Sequence, residues 1–223
     1  MKRKQFAVIG LGRFGSAMAT TLADLGHDVV GVDGDEERVR QLADVITQAV
    51  QLDATDERAL RAAGIKDVDV AVVSIGENIE SSLLVVMLLK ELGIPNIVAK
   101  AVTALHGRIL EKLGVTRVIF PERDMAMRIA HSLVMSNVID YIELSKEFSI
   151  VELPAPVSFI GKSLKQLELR PRLGLTLIAV KRTGPDGRVA TTVTPTADEV
   201  LRAGDVLTVI GNIDRLEKLD RLE

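Results

Sequence analysis

Residues 4–33, KQFAVIGLGRFGSAMATTLADLGHDVVGVD, decide the fold. Phe6-Ala7-Val8-Ile9 is short, apolar and uncharged, which predicts a strand buried on both faces. It runs straight into Gly10-Leu11-Gly12-Arg13-Phe14-Gly15, and an Ala-, Met- and Leu-rich helix follows to about Gly26. Residues 28–32 read as a second strand that delivers Asp33. Gly10 permits a tight turn, Gly12 lets the backbone approach a diphosphate, and Gly15 lets helix and strand pack closely. The amides at the helix N-terminus face phosphate, and the helix dipole adds attraction for negative charge. Asp33 stands where a carboxylate accepts hydrogen bonds from both ribose hydroxyls, and where a 2′-phosphate meets like charge. A lone GxGxxG is weak evidence. With its strand, helix and acid in place, it reads as nucleotide binding.

The alternation continues outward from there. A helix starts at Asp35-Glu36-Glu37 and runs to about Ala43, with its acids in the first turn. Strands follow at 47–52, 68–73, 96–100 and 117–120. Helices at 56–63, 79–92 and 105–113 are each stopped by a glycine: Gly64, Gly93 and Gly114. Six strands alternating with helices predict an α/β, doubly wound parallel (Rossmann-like) sheet. Its ligand crevice lies at the carboxyl ends of the strands, where the loops at Gly10, Asp33, Asp53, Ser74 and Lys100 fall.

Pro121 punctuates the sheet, and 122–138, ERDMAMRIAHSLVMSNV, reads as a crossover helix. Its apolar rows (Met125, Ile129, Leu133 and Ala126, Ala130, Val134, Val138), with Met127 and Met135, are wider than a one-sided surface helix needs. Two readings stay open: the last helix of the sheet domain, or a helix packing on a second subunit. From about Ser145 the pattern changes to a small α+β domain. It has a strand at 148–153, a short helix at 161–169, a hairpin of 175–182 and 188–193 around Gly184-Pro185-Asp186-Gly187, a strand at 205–210 and a closing helix at 214–222. The domains are expected at 1–137 and 138–223, with 138–146 as the joint.

Composition narrows the function. The 223 residues are enough for two small domains with cores, and 47% hydrophobic content excludes disorder. A net charge of −3 and 3% aromatic residues argue against a nucleic-acid surface or a base-stacking platform. The absence of cysteine excludes disulfides, a thiolate zinc site and a cysteine nucleophile. The basic MKRKQ start precedes an apolar run that breaks at Gly10, so it opens a strand and not a signal peptide. The apolar run 83–89 is too short to span a bilayer. A soluble, cytoplasmic protein without direct nucleic-acid or membrane contact is expected.

Arg13 departs from a generic glycine loop. A guanidinium at the helix N-terminus reaches terminal phosphates bidentately, which suits ATP or ADP at least as well as NAD(H); the alternative is a solvated arginine. Asp53 and Thr55 either touch a base or ribose edge or cap the helix after Asp56. Lys100 ends a buried strand at the ligand edge, within reach of phosphate, and His106 follows one helical turn later, where it meets phosphate or ribose. His27 and His131 read as structural or solvated. Glu122 is either a first-turn helix acid or a ligand for a divalent cation, because a carboxylate beside phosphates needs a bridging cation. No GxxxxGK[ST] is present, and the second half holds no His or Cys for proton transfer, so an enzyme is not expected.

GLGRFG with Asp33, Asp53-Ala54-Thr55, Ser74-Ile75-Gly76-Glu77-Asn78, Ile94-Pro95, Lys100-Ala101 and Pro121-Glu122-Arg123-Asp124-Met125 together resemble the regulator-of-potassium-conductance (RCK) family, of the KtrA and TrkA type. Gly161-Lys162-Ser163-Leu164, Leu169-Arg170 and Ala203-Gly204-Asp205 resemble its C-terminal domain, so the likeness spans the chain. The resemblance implies a cytosolic regulatory subunit in a homo-octameric ring on a membrane potassium-translocating subunit, activated by ATP and inactivated by ADP. It implies that Arg13 reaches the γ-phosphate and Asp33 holds the ribose. Phe14, Asp53, Ala54, Thr55, Ile75, Gly76, Glu77, Lys100, Ala101, Val102 and His106 then line the pocket. It further implies that Glu122 serves an activating cation (Mg²⁺ or Ca²⁺) and that the C-terminal domain takes cyclic di-AMP, with Arg170 as an anion contact. Leu52 departs from the small or polar residue usual before Asp-Ala-Thr. The competing class is an NAD-dependent oxidoreductase or redox sensor, and a third is a sensing subunit for another transporter.

Overall fold

The computed structural model describes residues 2–135 and 137–220. They form two compact units that divide after Pro121. The first holds strands β1 (Gln5–Ile9), β2 (Asp28–Asp33), β3 (Gln48–Gln51), β4 (Val70–Val73), β5 (Asn96–Lys100) and β6 (Arg117–Ile119), all parallel, in the order β3-β2-β1-β4-β5-β6. Its helices are α1 (Arg13–Asp24), α2 (Glu36–Leu42), α3 (Glu57–Ala62), α4 (Ile79–Glu91) and α5 (Ala104–Lys112). Alternate strand residues enter opposite cores. Ala7, Ile9, Ala71 and Val73 join Leu60, Val85, Leu89 and Leu110 on one face, while Val8 and Val72 join Ala19, Val29 and Leu42 on the other. Both faces are covered, so the strands read as unbroken apolar runs. Each fully buried Ile or Leu here contributes about 1.5–3 kcal/mol.

Local chemistry sets the helix ends. Asp35 caps α2 by accepting from the amides of Glu37 and Arg38, and Asp56 does the same for α3 with Arg58 and Ala59. Asn78 and Thr103 cap α4 and α5 through Ser81 and His106. The strand order reverses between β1 and β4, and their carboxyl ends form the topological switch point where doubly wound folds place ligands.

The second unit opens with α6 (Pro121–Val134), shorter than the expected 122–138, since Met135 and Val138 turn into the core of this unit. No residue of α6 is buried. Residues 138–146, expected to be a joint, instead contain strand β7 (Asp140–Glu143). It pairs antiparallel with β8 (Phe148–Pro154), whose backbone supplies the partner that a four-residue DYIE segment needs. The expected helix over 161–169 is one turn, α7 (Leu164–Leu167), closed by Glu168 in the left-handed region, and a π-type turn over Leu169–Leu173 follows. Strands β9 (Thr176–Thr183), β10 (Val189–Val193) and β11 (Val206–Asn212) complete an antiparallel sheet in the order β10-β9-β11-β8-β7. The closing helix α8 spans Ile213–Asp220, and the rest of its expected extent lies outside the described residues.

Candidate nucleotide-binding site

The site is built on the β1–α1 turn. Gly10 adopts φ +92°, donates its N–H to Val32 O at 2.8 Å, and lies against the backbone of Ser74. A Cβ on Gly15 would stand 1.8 Å from Gly10 O, so only glycine lets α1 approach the turn this closely. Nothing lies within 4 Å of the Cβ direction at Gly12, which leaves its backbone open to a diphosphate. Arg13 is the first residue of α1, exposed, and among the described residues it makes no ion pair. The loop geometry therefore fits a phosphate chain, with an exposed guanidinium at its rim.

Asp33 ends β2 with its side chain 10% exposed. Oδ2 accepts the Leu11 N–H at 2.6 Å and Oδ1 the Asp35 N–H at 2.9 Å, so the acid is tied to the glycine loop itself. Arg38, on α2, reaches Oδ2 with Nη1 at 3.5 Å, Asp35 at 3.7 Å, and Glu77 Oε1 with Nη2 at 3.9 Å. Sequence reasoning missed Arg38. The signal was a cation five positions after the acid, on the first turns of a helix that starts at the site.

Across the switch point, the loop after β4 carries Ile75, Gly76 and Glu77. A Cβ on Gly76 would lie 3.4 Å from Val102 Cγ1 and 3.5 Å from Lys100 Nζ, so the β4 and β5 loops touch. Lys100 Nζ lies 6.0 Å over the Phe14 ring, which brings the end of β5 to the start of α1. Val102 is exposed, whereas Ala101 is buried and gives its N–H to Ile119 O. His106 is buried as well. Its Nδ1 accepts the Val102 N–H at 3.5 Å, its Nε2 has no hydrogen-bond partner among the described residues, and burial holds its pKa below 6.5.

Asp53 and Thr55 do not cap the following helix, which is capped by Asp56. Instead Asp53 Oδ1 accepts the Thr55 hydroxyl at 2.7 Å and the Thr55 N–H at 2.9 Å. These bonds hold the Asp53 carboxyl below the usual carboxylate range and fix the turn carrying Ala54. The turn follows β3, which adjoins β2, and the Leu52 N–H donates to Asp33 O at 3.1 Å. Glu122 stands in the first turn of α6, in the second unit, near an Arg123–Asp124 pair at 3.0 Å. Among the described residues, no three His, Asp or Glu side chains converge to hold a metal. Elsewhere in the second unit, a cavity of about 340 Å³ is lined by Lys165, Glu168, Leu169, Arg170, Leu175 and Leu177, among others.

Fold and glycine loop together define the class: a Rossmann-type nucleotide-binding fold followed by a small antiparallel α+β domain. The TrkA-N domain model matches residues 6–121 and the TrkA-C domain model 148–223. The chain belongs to this TrkA-type RCK family. The Ktr system potassium uptake proteins A and C of Bacillus subtilis are 42% and 41% identical to it over 220 and 219 residues, which span 99% and 98% of this chain and 97% of each relative. The structure titled GsuK channel bound to NAD shares the fold over 99% of this chain and 39% of its own, with a TM-score of 0.65 at 21% identity.

Proposed function

We propose that this chain is the nucleotide-sensing regulatory subunit of a Ktr-type potassium uptake system. It docks as a homo-octameric ring on the cytoplasmic side of a membrane potassium-translocating subunit, with ATP favouring the active state and ADP the inactive one. The observation that carries this reading is Arg13, exposed and without an ion pair among the described residues, at the phosphate end of an open glycine loop. It stands in a chain 42% identical to a Ktr protein over almost its whole length. A group that the γ-phosphate engages and the β-phosphate does not is what separates ATP from ADP. The ring responds only to the extent that the nucleotide binds its two states unequally.

In this reading Gly10, Gly12, Phe14 and Gly15 receive the phosphates with Lys100, and Asp33 holds the ribose. Asp53, Ala54, Thr55, Ile75, Gly76, Glu77 and Val102 line the pocket from the loops after β3, β4 and β5, with the buried Ala101 and His106 of α5 behind them. Mg²⁺ or Ca²⁺ joins through Glu122. Cyclic di-AMP is assigned to the cavity beside Arg170, whose volume is in the range of small-molecule sites.

Calorimetric titration of ATP, ADP, NAD and NADH, with and without Mg²⁺ or Ca²⁺, tests the reading. Adenine nucleotides are expected to bind, ATP alone to be strengthened by the cation, and no turnover to follow. Arg13→Ala should weaken ATP about ten- to hundredfold more than ADP, as loss of one charge-assisted contact of about 1.5–3 kcal/mol implies. Equal losses sink the γ-phosphate role. Binding of NADH alone, with turnover of a hydroxy or keto substrate, makes the chain an oxidoreductase or redox sensor instead.

A further inference from the structure

Asp33 carries one side-chain contact, from Arg38, besides the backbone amides that hold it. A carboxylate offers about four acceptor positions. The amides of Leu11 and Asp35 take one on each oxygen, and Arg38 Nη1 approaches a second position on Oδ2 at 3.5 Å. A ribose diol needs the two positions that the amides leave, one of which Arg38 approaches. The same guanidinium also lies near Asp35 Oδ2, 3.7 Å from Nε, and Glu77 Oε1, 3.9 Å from Nη2. Asp33 is held by two amides and nearly buried, whereas Glu77 is 93% exposed on the loop after β4. Asp35 is fixed as the cap of α2 by the amides of Glu37 and Arg38, so of the three carboxylates Glu77 is the one that can follow the guanidinium.

We infer that Arg38 is a positioning residue that passes between Asp33 and Glu77. A ribose diol bound at Asp33 displaces the guanidinium onto Glu77, and the ion pair draws the 74–78 loop toward the nucleotide. Gly76 of that loop lies against Lys100 and Val102, so occupation at the ribose end is relayed to the phosphate-side lysine. This rests on the adenine-nucleotide reading above. It adds a residue through which ribose, and not phosphate, moves the site.

Calorimetry on the full chain, comparing ADP with 2′,3′-dideoxy-ADP, tests it. Wild type prefers ADP. Arg38→Ala raises that preference by about threefold, in line with one exposed ion pair, because the competitor for Asp33 is gone. The general loss of positive charge falls on both ligands alike and cancels in the ratio. Glu77→Gln lowers the preference by a similar factor, and the double variant matches Arg38→Ala alone. A ratio unmoved by Arg38→Ala, or a Glu77→Gln effect that persists without Arg38, overturns the inference while leaving nucleotide binding intact. If wild type binds neither ligand, the nucleotide reading itself fails, which is a separate and recognisable result.

Discussion

At the residue scale, two glycines of one loop carry different burdens. Gly15→Ala forces a Cβ to within 1.8 Å of a carbonyl oxygen, so it should cost about 2 kcal/mol or more in urea unfolding of the first unit. Gly12→Ala meets nothing, so stability should hold within about 0.5 kcal/mol while nucleotide affinity falls, because the methyl fills the phosphate approach. Unchanged affinity in Gly12→Ala would move the phosphates elsewhere. His106 makes a pH prediction. Burial lowers its pKa from 6.5, so the unfolded chain binds the proton more readily than the folded one. Stability is then full above about pH 6.5 and declines as pH falls toward the folded value. Urea midpoints at pH 8 and pH 5.5 should separate for wild type and converge for His106→Gln.

At the element scale, the second unit depends on a polar contact that closes its last hairpin. Asp205 is fully buried before β11, with Arg182 of β9 bonded to it at 2.7 and 2.6 Å and the Arg202 N–H at 2.8 Å. Burial pushes the Asp205 carboxyl up, but Arg182 and the Arg202 amide bring it net below the usual range. Arg182 also pairs with Glu199 at 3.1 Å and donates to Val200 O, so one side chain pins the 199–205 loop to β9. Asp205→Asn should cost about 2 kcal/mol in denaturant unfolding, since it removes the buried charge partner of Arg182 and leaves the guanidinium only the more exposed Glu199. The Arg182→Leu/Asp205→Leu double variant should lose less than either single change. The ionised pair stabilises above about pH 4 and is lost as pH falls through the depressed Asp205 pKa.

At the scale of the whole molecule, α6 is an amphipathic helix whose apolar side is not covered within its own unit. Leu133 and Val134 are 79% and 82% exposed, and Met125, Met127 and Ile129 about half exposed. The helix is tied into the second unit by Arg128, bonded to Asp140, and by His131 stacked on Tyr141 at 4.5 Å between ring centroids. That leaves a wide apolar strip for a second copy, as the proposed ring requires. Leu133→Glu should lower the assembly order in sedimentation velocity at micromolar protein while leaving the melting temperature of the subunit unchanged. An identical sedimentation coefficient would place the subunit contact on another surface.

The six-strand sheet, the glycine turn, Asp33 and the helix stops were legible in the sequence. Each rests on a local rule: apolar runs between polar helices, glycine where a Cβ cannot fit, an acid at a strand's end. The antiparallel second unit was legible in outline, because its hairpin turn and alternating strands are also local signals. Four features were decided only in three dimensions: the strand at Asp140–Glu143, the Asp53–Thr55 turn in place of a helix cap, the burial of His106, and the position of Arg38 between Asp33 and Glu77. A four-residue strand exists because β8 offers it a ladder, and a histidine is buried because α5 packs it against the sheet. Arg38 meets Glu77 because the parallel order sets the ends of β2 and β4 on the same edge with only β1 between them. Periodicity along the chain encodes what each segment buries; strand order decides which distant charges become neighbours.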